Sequence, residues 1–283
     1  MSPKEVTLDM SGGYQAFSRL WLPDHPTSAV LYIHGIQSHG KWFERSAEQL
    51  ASAGCAVMLP DRRGSGRNRT DRGHAESPRQ LVDDLIVALT ALGGRTGQRS
   101  VTVVAVSWGG KLALALARRV PDRLRRLVLV APGLFPQVDL SPAEKGSIAW
   151  SAVLRPKRLF DVPLDDPELF TATERWIDFI RHDPLSVRRV TARFLLTSRR
   201  LDWEVRAYGR RPPPVPLRVF LAGRDRIIDN ERTRRFVRDL PLSDRAIIEH
   251  PDAHHTLEFE PDPAPYSRDL VAAVLARNGA APP

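Results

Sequence analysis

Four short apolar runs, at 29–33, 55–59, 101–106 and 127–131, are separated by amphipathic helical stretches at 46–53, 81–92 and 112–119. Runs that are apolar at nearly every position have no face to leave in water, so each reads as a strand buried on both sides. Strands of that kind with a helix between each consecutive pair specify a mostly parallel sheet with helices on both faces, an α/β architecture. Two earlier runs, 6–8 and 16–22, lack an intervening helix and read as an antiparallel hairpin at one sheet edge. Strand and helix patterns resume at 217–222, 231–240, 245–249 and 266–277.

Between the two halves of this alternation, residues 132–216 carry scattered helical patterns, three of the six tryptophans (Trp150, Trp176, Trp203) and a closing Pro212-Pro213-Pro214. So long a stretch is not a simple loop. The expected organisation is a core domain formed by 1–131 and 217–283, with 132–216 as an inserted helical cap or lid whose tryptophans line an entrance. A chain of 283 residues suffices for one such domain with an ample core.

The run ending at Val106 leads into Ser107-Trp108-Gly109-Gly110 and then a helix. A serine on a sharp strand-to-helix turn has its hydroxyl exposed at the carboxyl end of the sheet, and the turn demands small neighbours because strand and helix backbones approach closely. Ala105 stands where the pattern Gly-x-Ser-x-Gly has glycine, a departure of one methyl group. Acyl chemistry at a serine needs a base and an acid that orients the base. Asp225 follows the run 217–222, and His255 follows the run ending at Glu249, so Ser107, Asp225 and His255 occur in the chain order this scaffold uses. A tetrahedral intermediate also needs donors for its oxyanion. The amide of Trp108 supplies one, and the loop His34-Gly35-Ile36-Gln37-Ser38-His39-Gly40 supplies the other through Ile36. His34 and His39 have no cysteine or acidic residue at a matching spacing, so neither a metal site nor a cofactor is expected.

These pieces resemble the serine hydrolases of the α/β-hydrolase superfamily, in particular the monoacylglycerol lipase and lysophospholipase branch. The matching residues are His34-Gly35 with His39, Asp61-Arg62-Arg63-Gly64-Ser65-Gly66, the elbow at Ser107, Asp225 with Asp229, and His255-Thr256-Leu257-Glu258-Phe259-Glu260. The resemblance implies a serine esterase acting on a small-molecule carboxylic ester with an apolar acyl or alcohol group, through an acyl-enzyme on Ser107. It favours His255 over its neighbour His254 as base and gives Asp229 a supporting place beside Asp225. Trp108 departs from the branch, either packing in the core or narrowing the acyl side of the pocket. An acyltransferase or thioesterase using the same triad is the alternative, and a non-catalytic binding protein on this fold the more distant one.

A net charge of +9 comes mostly from arginine, spread as pairs such as Arg62–Arg63 and Arg118–Arg119 with no aromatic-interleaved basic stripe, so no nucleic-acid partner is expected. Arg224 and Arg226 flank Asp225 and read either as outward, solvated side chains or as attracting an anionic substrate, the former favoured. The single Cys55 lies in an apolar run and reads as a buried hydrophobe. With no apolar signal region at its start and no transmembrane segment, the chain is expected in the cytoplasm.

Overall fold

The edge hairpin is present in the computed structural model, which describes residues 1–138 and 140–276. Its strands β1 (Lys4–Asp9) and β2 (Gln15–Trp21) pair antiparallel, from Lys4↔Leu20 to Asp9↔Gln15. The alternation follows as β3 (Ser28–Ile33), α1 (Glu44–Ser52), β4 (Cys55–Pro60), α2 (Pro78–Thr96), β5 (Val101–Val106), α3 (Gly109–Arg119) and β6 (Leu124–Val130). The next segment holds α4 (Pro142–Leu154), β7 (Leu159–Asp161), α5 (Glu174–His182), β8 (Arg189–Thr191) and α6 (Ala192–Arg210). The sheet resumes with β9 (Leu217–Ala222), α7 (Asn230–Asp239), β10 (Arg245–His250) and α8 (Ala264–Leu275). Arg277, the expected end of the last helix, lies outside the described residues.

The main sheet runs β1-β2-β4-β3-β5-β6-β9-β10. Only the two junctions made by β2 are antiparallel, and every pairing from β4 to β10 is parallel. Each residue of β3, β4, β5 and β9 is buried, the polar Ser28, Thr102 and Arg218 along with the apolar majority. The order places β4 on one side of β3 and β5 on the other, so the connections leaving β3 and β5 diverge. The crevice between their carboxyl ends is where open α/β sheets hold ligands. Local signals set the helix limits: the Ser77 side chain accepts from the Gln80 amide ahead of Pro78, and Gly97 closes α2 in the left-handed region at φ 69°.

The segment between β6 and β9 is not purely helical. Residues 159–161 and 189–191 pair antiparallel as a two-stranded ribbon. Three-residue strands are too short to register as a period in the sequence. Among the described residues no helix is long and apolar enough to cross a membrane.

Candidate active site

Ser107 follows the last residue of β5 with φ at 54°, a left-handed conformation that costs a non-glycine residue of order 1–2 kcal/mol. The turn holds it there through three backbone bonds: the Ser107 amide donates to Val130 O at 2.9 Å, and Ser107 O accepts from Gly110 N at 2.9 Å and Gly133 N at 2.7 Å. Gly109 has no room for a side chain, since a Cβ would stand 2.7 Å from the His34 carbonyl oxygen. Ala105, by contrast, is fully buried in the strand, and its methyl fits.

The elbow aims Ser107 at a histidine 148 residues further along: Ser107 Oγ lies 2.9 Å from His255 Nε2. His255 Nδ1 lies 2.8 Å from Asp225 Oδ2, and both side chains are buried. The other oxygen, Asp225 Oδ1, accepts from the amides of Ile227 (2.8 Å) and Ile228 (3.0 Å), which leaves Oδ2 facing the imidazole. With a carboxylate on Nδ1, that nitrogen carries the proton and Nε2 accepts from the serine hydroxyl. The three residues taken from separate loops of the sequence thus form one hydrogen-bonded chain. Neighbouring candidates have other partners. The Asp229 side chain accepts from the Arg232 amide and caps α7, His254 bonds Glu260 at 3.0 Å, and Arg224 pairs with Asp252 on the surface.

The loop after β3 passes directly beside the serine, for a Cβ on Gly35 would meet Ser107 Cβ at 3.3 Å and Ser38 Oγ at 3.2 Å. Among the described residues neither the Ile36 nor the Trp108 amide donates to another protein group. His34 fixes the Gly35–Ile36 peptide. The Arg62 amide donates to its Nε2 at 2.8 Å, so Nδ1 carries the proton and donates to Gly35 O at 2.8 Å. Burial holds the His34 imidazole well below its ordinary pKa, consistent with that neutral tautomer. His39 is engaged elsewhere, 2.8 Å from Asp183. Among the described residues no group of three or more histidine, cysteine or acidic side chains could hold a metal.

The walls around Ser107 and His255 are Ile36, Trp42, Phe43, Val106, Leu164 and Phe170, enclosing about 10 Å³, the room of one water at most. Two of these residues, Leu164 and Phe170, stand outside the loops of the main sheet. Both come from the segment between β6 and β9, which also grips the histidine loop: Phe170 meets the His255 ring edge-on at 5.8 Å, and its carbonyl accepts from the Thr256 amide at 2.9 Å. Trp108 packs away from Ser107 against α6, stacked on Phe194 at 5.3 Å with Nε1 donating to Ser198 Oγ at 2.8 Å. Trp150 and Trp203, expected near an entrance, are 70% and 61% exposed, while Trp176 stacks on Phe259 at 4.2 Å.

The sequence motif includes Glu258, three residues beyond His255, but gives it no partner. Its oxygens accept from the Ser46 amide (2.8 Å) and hydroxyl (2.6 Å) in the first turns of α1, tying the histidine loop to the helix that follows the Ile36 loop. Burial pushes its carboxyl up to about 7. The motif placed Glu258 near His255, but its partner lies 212 residues away and carries no local signal.

A family model described as "Serine aminopeptidase, S33" (Hydrolase_4) matches residues 24–262. Phospholipase YtpA of Bacillus subtilis is 24% identical over 247 residues, covering 86% of this chain and 93% of that protein. The monoglyceride lipase of Homo sapiens is 22% identical over 250 residues, covering 88% and 82%. Among solved structures, the monoacylglycerol lipase of Paleococcus ferrophilus superposes with a TM-score of 0.82 at 20% identity, covering 92% of this chain and 98% of that one.

Proposed function

This chain belongs to the serine aminopeptidase, S33 family and is a lipase- or esterase-type serine hydrolase of the α/β-hydrolase fold, and from that premise we propose that it cleaves carboxylic esters bearing an apolar acyl or alcohol group through an acyl-enzyme on Ser107. The observation that carries the reading is the chain Ser107 Oγ, His255 Nε2, His255 Nδ1, Asp225 Oδ2, at 2.9 Å and 2.8 Å. In it His255 takes the serine proton as Oγ attacks the carbonyl carbon. The tetrahedral oxyanion is held by the Ile36 and Trp108 amides, each such donor being worth about 3 kcal/mol. The imidazolium, steadied by Asp225, then protonates the departing alcohol. Water, deprotonated by His255, releases the acid and restores Ser107.

Two features support an apolar ester over the peptide that the family's description brings to mind. An aminopeptidase must recognise a substrate ammonium, yet no carboxylate stands among the twelve residues lining the space at Ser107, six of which carry large apolar side chains. The outward side of α4 carries Trp150, Val153 and Leu154 at 70%, 76% and 57% exposure, a surface suited to contact with lipid-like substrate. Residues 132–216 act in this reading as the cap, and Leu164 and Phe170 are its share of the pocket wall. The test is turnover of matched esters and amides: p-nitrophenyl esters of acetate to dodecanoate against aminoacyl p-nitroanilides. Hydrolysis of the esters with little on the anilides supports the proposal, and the opposite preference contradicts it.

A further inference from the structure

Arg62 lies below the loop that carries the Ile36 amide. One guanidinium nitrogen donates to the Ile36 carbonyl at 2.8 Å and another reaches the Arg63 carbonyl at 3.4 Å. Its Cζ sits 5.1 Å from the Trp108 ring centroid and 5.0 Å from that of Phe194, so the cation is packed against two mutually stacked aromatic rings. Its Nε is enclosed without a partner. Among the described residues no carboxylate pairs with it. The adjacent Asp61 is committed to Arg19 and to the amides of Gly40 and Arg67. Burial brings the guanidinium down to about 10, still a cation at neutral pH.

A half-buried cation with no salt-bridge partner is costly to keep, and perturbed cations of this kind cluster at functional sites. Among the residues it touches are Ile36 and Trp108, whose amides the proposed mechanism assigns to the oxyanion. The bond to the Ile36 carbonyl braces the peptide that follows the Ile36 amide, while His34 holds the peptide that carries it. Covalent geometry and one hydrogen bond on each side put the guanidinium within about 10 Å of the oxyanion. We propose that Arg62 is a positioning residue of the oxyanion hole, bracing the Ile36 loop and supplying a positive charge with no salt-bridge partner that favours the tetrahedral anion over the neutral ester.

This inference rests on the mechanism above, and the test separates the two. Wild-type enzyme, Arg62→Gln and Arg62→Lys are compared for kcat and KM on p-nitrophenyl butyrate and for inhibition by butylboronic acid, which forms a tetrahedral anion on a serine oxygen. Glutamine keeps a donor for Ile36 without the charge, and lysine keeps the charge. Arg62→Gln should lower kcat about 10- to 30-fold with KM within about twofold, and weaken the boronate by the same factor. Arg62→Lys should recover most of both. If Arg62→Gln does not fold by circular dichroism, Arg62→Met takes its place with the same expectation. Unchanged kcat and boronate affinity in the charge-free variant, a lysine variant as impaired as the glutamine one, or a loss confined to KM would overturn the role of Arg62. Failure of the boronate to inhibit the wild type would overturn the mechanism beneath it.

Discussion

His39 and Asp183, 144 residues apart in the chain, meet in a buried hydrogen bond of 2.8 Å that joins the Ile36 loop to the segment between β6 and β9. Asp183 also accepts from Trp42 Nε1 (2.9 Å), Ser186 Oγ (2.7 Å) and the Leu185 amide (3.0 Å). Close by, the Val187 amide donates to the Gln37 carbonyl at 2.9 Å. Burial alone would raise the Asp183 carboxyl, but the bonds from His39, Trp42 and Ser186 outweigh it and hold the group well below the ordinary carboxylate range.

Asp183→Ala strands buried donors on His39 and Trp42, each costing about 1–3 kcal/mol, so Tm should fall by about 5–15 °C. The surviving folded enzyme should lose about tenfold in kcat, because the Ile36 loop loses its brace. A carboxyl with a depressed folded pKa contributes stability that is present above its unfolded value and is lost as pH falls through the folded one. The wild type should therefore lose this contribution only below about pH 4, and Asp183→Asn should be flatter there. Thermal melts from pH 2.5 to 6 check both.

Glu258 has the opposite sign. Its folded pKa is raised by burial from 4.5 to about 7, so the folded state binds the proton more tightly than the unfolded chain does. Stability should fall as pH rises between those two values and level off above the upper one. Glu258→Gln keeps the hydrogen bond to Ser46 without the charge and should remove most of that slope. Denaturant unfolding at pH 5, 6, 7 and 8 measures it, and parallel slopes in the two proteins would reject this role for Glu258.

Asp225 and Asp229 separate cleanly by substitution. Asp225→Asn should fold and lose about four orders of magnitude in kcat, since an asparagine on His255 Nδ1 selects the wrong tautomer. Asp229→Asn should keep both activity and stability, because asparagine caps a helix as well as aspartate does. Steady-state rates on a short ester with matched melts would reverse the assignment if Asp229→Asn were the inactive variant.

The tryptophans of the segment between β6 and β9 should also part company. Trp150→Ala removes a side chain that is 70% exposed, so Tm and hydrolysis of a soluble acetate ester should hardly change, while hydrolysis of esters presented in vesicles should drop several-fold. Trp176→Ala breaks the stack on Phe259 and should lower Tm by several degrees, with loss on every substrate. Equal losses on soluble and vesicular esters for Trp150→Ala would contradict a surface role.

What the sequence disclosed follows from range. Ser107, Asp225 and His255 each stand past an apolar strand, and a parallel sheet delivers such positions to one edge, so chain order made them candidates and the family resemblance chose His255 over His254. Trp108 was open between core packing and narrowing the pocket, and its bonds to Phe194 and Ser198 decide for packing. The braces were illegible: His39 with Asp183, Arg62 with Ile36 and Phe194, and Glu258 with Ser46 all join elements whose approach depends on how the segment between β6 and β9, or the last loop, settles on the sheet. The pairing of 159–161 with 189–191 escaped for the same reason, since its partners are found only once that segment is folded.

The most direct measurement is the site of covalent capture. Folded wild-type protein is treated with an alkyl fluorophosphonate, digested and mapped by mass spectrometry, beside Ser107→Ala and His255→Ala. The account predicts one stoichiometric adduct on Ser107, none on the Ser107→Ala protein, labelling slowed by at least about a thousandfold in His255→Ala, and ester hydrolysis lost in step with labelling. An adduct on another residue, or ester turnover by Ser107→Ala near the wild-type rate, would contradict it.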